Sequence, residues 1–323
     1  MAYRIMFGGS PGRRAYEAWQ AGQNNCPVPP DQRPRGEVTR GTTAPNRLRR
    51  VDRWIAATQA ARLRAAPDPG LRPLAVDLGY GASPITTFEL YTRLRAVSPR
   101  LEVVGIEIDP DRVAAGTALL AVRRGAGAGE GARQDAGPAS RPDLRPFDGL
   151  SFRRGGFELP VARPPVLIRA FNVLRQYGEP AAWHAWDDLR ARLDPSGILV
   201  EGTCDEIGRR AVWVTLTPDG PRTITFAAHL RTLERPSGLA ERLPKTLIHR
   251  NVPGEPVHGL LAAFDRCWAT AAPHSAFGPR ARWIEAVRLL ARTHPVLTRP
   301  PYGGRNRWRL GEVTLPWSAV APE

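Results

Sequence analysis

Between Leu74 and Leu230 short apolar runs alternate with segments of helical period, the pattern of a parallel sheet whose strands are joined by helices. The runs predict strands over Leu74–Leu78, Leu101–Ile108, Leu150–Arg154, Val166–Ala170 and Ile198–Glu201. Helices are expected near Thr86–Ala96, Pro110–Arg124 and Pro180–Leu193, and the Gly/Ala/Arg/Asp-rich stretch 125–146 reads as a surface loop. Two further runs, Ala211–Thr217 and Thr223–Ala228, flank Pro218-Asp219-Gly220-Pro221, so they predict a hairpin turned by Asp-Gly. Upstream, a helix is expected over Ala44–Arg64, capped by Thr43 with Pro45 in its first turn. Leu48, Val51, Ile55 and Thr58 share one face with Trp54 at its edge, and Arg49, Arg50 and Arg53 fall opposite. Residues 236–294 read as mostly helical, with Leu260, Leu261, Phe264, Cys267 and Trp268 at core spacing, and Val313–Trp317 predicts a final strand.

The expected organisation is a loose segment over 1–38, a basic helical region over 39–69, a nucleotide-binding α/β domain over 70–232 and a helical extension with a last strand over 233–323. The expected fold class is α/β, a doubly wound Rossmann-like sheet of seven strands with an antiparallel last strand, plus an N-terminal helix and a C-terminal helical region.

The chemistry concentrates in Leu74-Ala-Val-Asp-Leu-Gly-Tyr-Gly-Ala-Ser-Pro84. A buried strand ends at Asp77 and turns through Gly79 and Gly81, where glycine allows a tight bend and close approach of a ligand to the backbone. Asp77 precedes the glycines, where a cationic ammonium or sulfonium group could be balanced. Pro84 stands where a dinucleotide turn wants its third glycine, so the turn suits a cationic ligand better than a pyrophosphate. The second strand ends in Glu107, an acid placed to accept both hydroxyls of a ribose, while Asp109 and Pro110 read as the start of the next helix.

VDLGYG and VVGIEIDPDRV resemble the first two motifs of the class I S-adenosylmethionine (SAM)-dependent methyltransferases. Three weaker matches follow in order: Ser151–Pro160 resembles the third-strand motif, Val166–Leu174 with its Asn-Val-Leu run the fourth strand, and Leu193–Glu201 the fifth. The hairpin resembles the sixth and antiparallel seventh strands. The resemblance, over about residues 70–230, implies SAM as cofactor, contacted by Asp77, Gly79, Tyr80, Gly81, Glu107, Ile108, Phe157 and Ala170. It also implies an acceptor pocket at the end of the fourth strand, where Asn172, Arg175, Gln176 and Tyr177 lie. Two departures stand out. Many members carry an acid where this chain has Gly156, and the helix between the fifth and sixth strands is shortened to Cys204–Gly208. The Asn/Asp-Pro-Pro-aromatic tetrad of amine methylation on bases is absent, which argues against adenine-N6 chemistry. His249 admits two roles, base or structural residue.

Composition changes the picture only through charge. The 323 residues carry 46 Lys+Arg against 31 Asp+Glu, a net charge of +15, and all basic residues but Lys245 are arginine. Residues 1–65 hold 12 arginines and 4 acids, 12 − 4 = +8 of that excess. Either the charge serves a phosphate-bearing partner such as nucleic acid, met by Arg49, Arg50 and Arg53, or it reflects an arginine-rich coding bias. No run of about 18 apolar residues occurs. Cys26, Cys204 and Cys267 form no CxxC pair and the six histidines lack ligand spacing, so neither disulfide nor metal is expected. A cytoplasmic protein without secretory leader or membrane span is the expectation. Three functions remain open: methyl transfer to RNA or another large acceptor, methyl transfer to a small molecule, or non-catalytic binding of RNA or a partner on a SAM-binding fold.

Overall fold

The computed structural model describes residues 34–41, 43–65, 70–130 and 146–322. The chain begins with helices α1 (Arg49–Thr58) and α2 (Ala60–Arg64), then alternates β1 (Leu74–Leu78), α3 (Ile85–Arg95), β2 (Glu102–Glu107), α4 (Pro110–Glu130), β3 (Leu150–Arg154), β4 (Leu167–Phe171), α5 (Glu179–Arg190) and β5 (Ile198–Cys204). The hairpin β6 (Arg210–Thr217) and β7 (Gly220–Ala228) follows. Helices α6 (Lys245–Ile248), α7 (Pro256–Thr270), α8 (Pro279–Leu290) and α9 (Arg305–Trp308) then lead to β8 (Glu312–Pro316). All strands join one eight-stranded sheet in the order β3-β2-β1-β4-β5-β6-β7-β8, one strand more than expected.

β1 to β5 pair in parallel, and the chain changes direction between β1 and β4. At such a switch point the loops leaving the strand ends diverge and open a crevice for a ligand. β5 is buried along its whole length and β1 equally so, which is why both open on apolar runs rather than alternating ones. The alternation of side chains splits the core in two. Leu74, Val76 and Leu78 face α5 to α8, whereas Ala75, Leu167 and Phe171 face α1, α3 and α4.

The far half of the sheet corrects the expected topology. Only Asp205–Arg209 separate β5 from β6, and a parallel crossover needs about a dozen residues. The chain therefore doubles back at once: Asp205 accepts the Arg209 and Arg210 amides at 2.8 and 3.0 Å, and Gly208 takes φ +70°. β6 is thus the antiparallel neighbour of β5, and β7 and β8 continue antiparallel. The N-terminal helix also differs. It starts at Arg49, because the chain turns at Asn46 (φ +62°) and the Thr43 hydroxyl donates to the Tyr80 carbonyl instead of capping a helix.

α1 docks on the sheet through buried charge. Arg169 on β4, fully buried, donates to Asp77 of the neighbouring β1 at 2.9 and 2.6 Å and to Asp52 of α1 at 2.5 Å. Burial works against the Arg169 charge, but the carboxylates of Asp52 and Asp77 outweigh it and raise the guanidinium above its ordinary value. Leu48, Val51, Trp54 and Ile55 close over the triad.

On the opposite face Glu201 of β5 is fully buried with one partner, the Trp186 indole N–H at 3.2 Å. Burial pushes its carboxyl up to about 8, against the weaker pull of that hydrogen bond. The folded state then keeps a proton that the unfolded chain releases near its ordinary value of 4.5, so stability falls as pH rises between those values. From about pH 5 to about pH 8 the wild type should lose on the order of 3 kcal/mol more than Glu201→Gln, at about 1.4 kcal/mol per pH unit. Parallel urea midpoints for the two proteins would disprove the buried-proton assignment.

Candidate functional site

The tips of β1, β2 and β3 lie side by side, with Asp77 paired to Gly105 and Glu107 to Arg154. After β1 the backbone turns at Gly79 (φ +65°) and Gly81 (φ +83°), a left-handed region that glycine enters without strain. A Cβ on Gly79 would approach Val173 to 2.8 Å, and one on Gly81 would meet the Thr43 hydroxyl at 2.8 Å. The Glu107 carboxylate, 1% exposed, reaches across from β2. It accepts the Gly81 amide at 2.9 Å and the Ile108 amide at 3.0 Å, with Arg112 at 3.7 Å. Glycine turn and acid are therefore one hydrogen-bonded unit.

The other expected contacts fare unevenly. Asp77 lines the cavity over the glycine turn, and its carboxylate is shared between Arg169 and the Thr87 hydroxyl at 2.7 Å. Tyr80 also lines it, with its ring packed edge-on to Phe152 and its hydroxyl donating to the Arg112 carbonyl. Ala170 is buried within β4, opposite Leu78. Asn172, at φ +60°, accepts the Cys204 amide at 2.9 Å and so ties the ends of β4 and β5 together. Arg175 donates to the Glu241 carbonyl. His249 is exposed, with its ring nitrogen 3.0 Å from the Lys245 amine.

The cleft is lined by the chain's own N-terminal segment. Residues 34–38, expected within a loose stretch, run with 39–41 across the strand tips as a strap; the rest of that stretch, 1–33, lies outside the described residues. The Phe157 amide donates to the Arg35 carbonyl at 2.9 Å, and the Arg35 amide donates to the Glu158 carboxylate at 2.8 Å. Gly36 (φ +130°) fits between the Tyr177 hydroxyl, Ile108 and the Phe157 ring, where a Cβ would stand 3.0 to 3.4 Å from them. The Glu37 amide donates to the Tyr177 hydroxyl at 2.5 Å. The Gln176 amide donates to the Glu37 and Val38 carbonyls at 3.1 and 3.2 Å, and Arg112 donates to the Thr39 carbonyl and hydroxyl at 3.1 Å. What space remains is about 40 Å³ over the glycine turn and about 10 Å³ beside Phe157.

The strap explains Gly156. A Cβ there would lie 2.0 Å from the Arg35 carbonyl oxygen, so no acid fits while the strap is seated. Glu158, two residues on, supplies a carboxylate instead: one oxygen accepts the Gly156 amide at 2.8 Å, the other the Arg35 amide. Sequence reasoning passed over Glu158 and Arg112. The signal for Glu158 was there, an acid two positions from the vacant one on a tight loop. The strap had none, because its bonds are made mainly by backbone.

A larger cavity, about 490 Å³, opens on the same rim between the start of α1, the ends of β7 and the starts of α8 and β8. Arg49, Arg50 and Arg53 line it, so the arginines singled out on α1 do share one surface. The helix itself packs on the sheet face against α3 rather than over the glycine turn.

No protein-family model and no curated protein sequence matches the chain. Among solved structures it is similar to the mitomycin 7-O-methyltransferase (17% identity, 46% of this chain and 36% of that one, TM-score 0.29). It is also similar to the N,N-8-amino-8-demethyl-D-riboflavin dimethyltransferase from Streptomyces davawensis (13%, 47% and 35%, 0.31) and to a pericyclic reaction enzyme (15%, 45% and 30%, 0.30). The chain spans about a third of the length of these structures, and the likeness at such scores carries nothing about reaction or acceptor. On its own strand order from β3 to β5, its glycine turn after β1 and its acid at the tip of β2, the chain has a Rossmann-like α/β fold.

Proposed function

We propose that the chain is a SAM-dependent methyltransferase that takes up its cofactor at the tips of β1, β2 and β3 when residues 35–41 withdraw. One observation carries this reading. The Arg35 backbone offers a carbonyl to the Phe157 amide and an N–H to the Glu158 carboxylate, between the Tyr177 and Phe157 side chains. An acceptor beside a donor is also what the amidine edge of adenine presents, so a peptide segment stands in for a purine. The residues beneath fit the rest of the molecule: Glu107 for the ribose hydroxyls and the open backbone of Gly79 and Gly81 for the aminoacyl part.

Bound SAM supplies an electrophilic methyl on its sulfonium. The chain's part is to hold that methyl in line with a nucleophile and to keep water out, which requires position more than an acid or base. Glu107 fixes the ribose through charge-assisted hydrogen bonds, and Asn172 keeps the β4 and β5 ends at a set spacing around the acceptor entrance. The finer part of the proposal is a phosphate-bearing acceptor such as RNA, supported by the net charge of +15 and the arginine-lined cavity on the same rim.

The alternative, a non-catalytic binding protein, is favoured by the same strap. With it seated the remaining 40 Å³ falls far below the roughly 300–1,000 Å³ of small-molecule sites. Methyl-labelled SAM incubated with cell lysate and either wild type or Glu107→Gln, then separated into RNA, protein and small molecules, tests the proposal. Label should enter one fraction with wild type and fall about tenfold or more with Glu107→Gln, the scale of a lost charge-assisted bond. No label in any fraction, together with no SAM binding, would leave the non-catalytic reading.

A further inference from the structure

The 490 Å³ cavity brings cationic and exposed apolar side chains together. Arg49, Arg53, Arg231, Arg280 and Arg309 line it, and their side chains make no hydrogen bond or ion pair with the described residues. Many arginines elsewhere are paired: Arg93, Arg112, Arg163, Arg190, Arg222 and Arg250 each meet a carboxylate. An arginine-rich composition alone would not gather five uncommitted guanidiniums around one opening. The sole acid in the lining, Glu312, is already held by Arg307 at 3.2 Å. Arg307 is itself 9% exposed, and its Nη1 has no hydrogen-bond partner.

The same walls are partly apolar. Of the six large hydrophobic residues exposed among the described residues, three line this cavity: Ile207 (58%), Phe277 (81%) and Leu310 (48%). The first turns of α1 and α8 also open onto it, adding the positive ends of two helix dipoles. Guanidiniums for phosphates beside an exposed ring for a base is the combination that holds single-stranded nucleic acid without reading its sequence. The volume is that of a site for about one nucleotide.

We infer that this cavity binds one nucleotide of a single-stranded nucleic acid, its phosphates on these five arginines and its base against Phe277. The inference rests on the methyltransferase reading only for its purpose, delivery of an acceptor to the same rim; the binding stands on the cavity alone.

The test is fluorescence anisotropy of a labelled single-stranded oligouridylate against salt, with the full chain, the Arg49→Ala/Arg53→Ala/Arg280→Ala triple variant and Phe277→Ala. A second triple variant, Arg190→Ala/Arg192→Ala/Arg222→Ala, removes equal charge from the opposite rim, where α5 and β6 end. Loss of the contacts to the two phosphates flanking that nucleotide, at about 0.7 per phosphate, lowers the salt slope by about 1.4, and affinity by about 25-fold near 0.1 M salt. Phe277→Ala should weaken binding about tenfold with the slope unchanged. The opposite-rim variant should bind like wild type. Equal weakening by the two triple variants, no binding of the strand by wild type, or displacement by free uridine monophosphate at the strand's own concentration would each overturn the inference. Calorimetry with SAM on the same proteins keeps the two questions apart: the cavity variants should leave cofactor binding unchanged, so failure there bears on the methyl-transfer reading and not on this one.

Discussion

Gly36→Val is expected to tighten SAM binding by on the order of 10- to 100-fold. Gly36 sits at φ +130°, which L side chains rarely adopt, and a side chain there would press on Tyr177, Ile108 and Phe157. Unseating this part of the strap removes at least the bonds from Phe157 to Arg35, from Arg35 to Glu158 and from Glu37 to Tyr177. At about 1 kcal/mol each they amount to roughly 3 kcal/mol favouring closure. A site that is competent for only a small fraction of the time has an apparent dissociation constant raised by that fraction, so losing this bias appears directly as affinity. The substitution lies on the strap, so Glu107, Gly79 and Gly81 are untouched. Titration calorimetry of SAM into wild type and variant reads the difference. A variant that melts like wild type but binds SAM no better would mean that the strap does not compete with the cofactor.

Arg169→Met should lower the free energy of unfolding by about 3–5 kcal/mol, the usual cost of leaving buried charge without its partner. Arg169 is fully buried and bridges α1, β1 and β4 by satisfying both Asp52 and Asp77. Without it two carboxylates face each other in a dry core, with only Arg93 and Thr87 left as partners. A loss of that size is a large share of the ~5–15 kcal/mol that holds a typical domain together. Replacing all three charges, Asp52→Asn/Asp77→Asn/Arg169→Met, should restore much of it, because the penalty comes from unbalanced charge rather than lost shape. Urea unfolding gives both values. An Arg169→Met protein within about 1 kcal/mol of wild type would show the triad to be dispensable.

Asp77 also marks where sequence reading ran out. In the strand pattern it is an acid behind two glycines, equally suited to a ligand or to the core. Only the pairing of β1 with β4 brings Arg169 opposite it, and only the docking of α1 adds Asp52. Such a partner lies 92 residues away and leaves no local signal. The strands were legible because period and chain length fix them: β1 and β3 run over the residues expected, and β2, β4 and β8 shift by a residue or two at their ends. The pairing of β6 beside β5 was legible too, from the five residues between them, but resemblance to a longer connection obscured it. The start of α1 was misplaced because Thr43 and Pro45 carry the chemistry of a cap, while Thr43 is bonded to Tyr80 instead. Within the site, Glu107 accepts the Gly81 amide across the β1 and β2 tips. Glu158 lies two positions beyond the usual place of the acid, and only the seated strap brings its carboxylate to the Gly156 and Arg35 amides.

Hydrogen exchange of the wild-type protein with and without saturating SAM tests the central claim most directly, since strap and cofactor would use the same groups. The amides of Arg35, Glu37 and Arg40 are bonded to Glu158, Tyr177 and Gln176. They should exchange faster when SAM is added, while the Phe157 and Gly81 amides stay protected. Faster exchange at all of these amides, or none at any while SAM is bound elsewhere, would contradict a cofactor site at these strand tips.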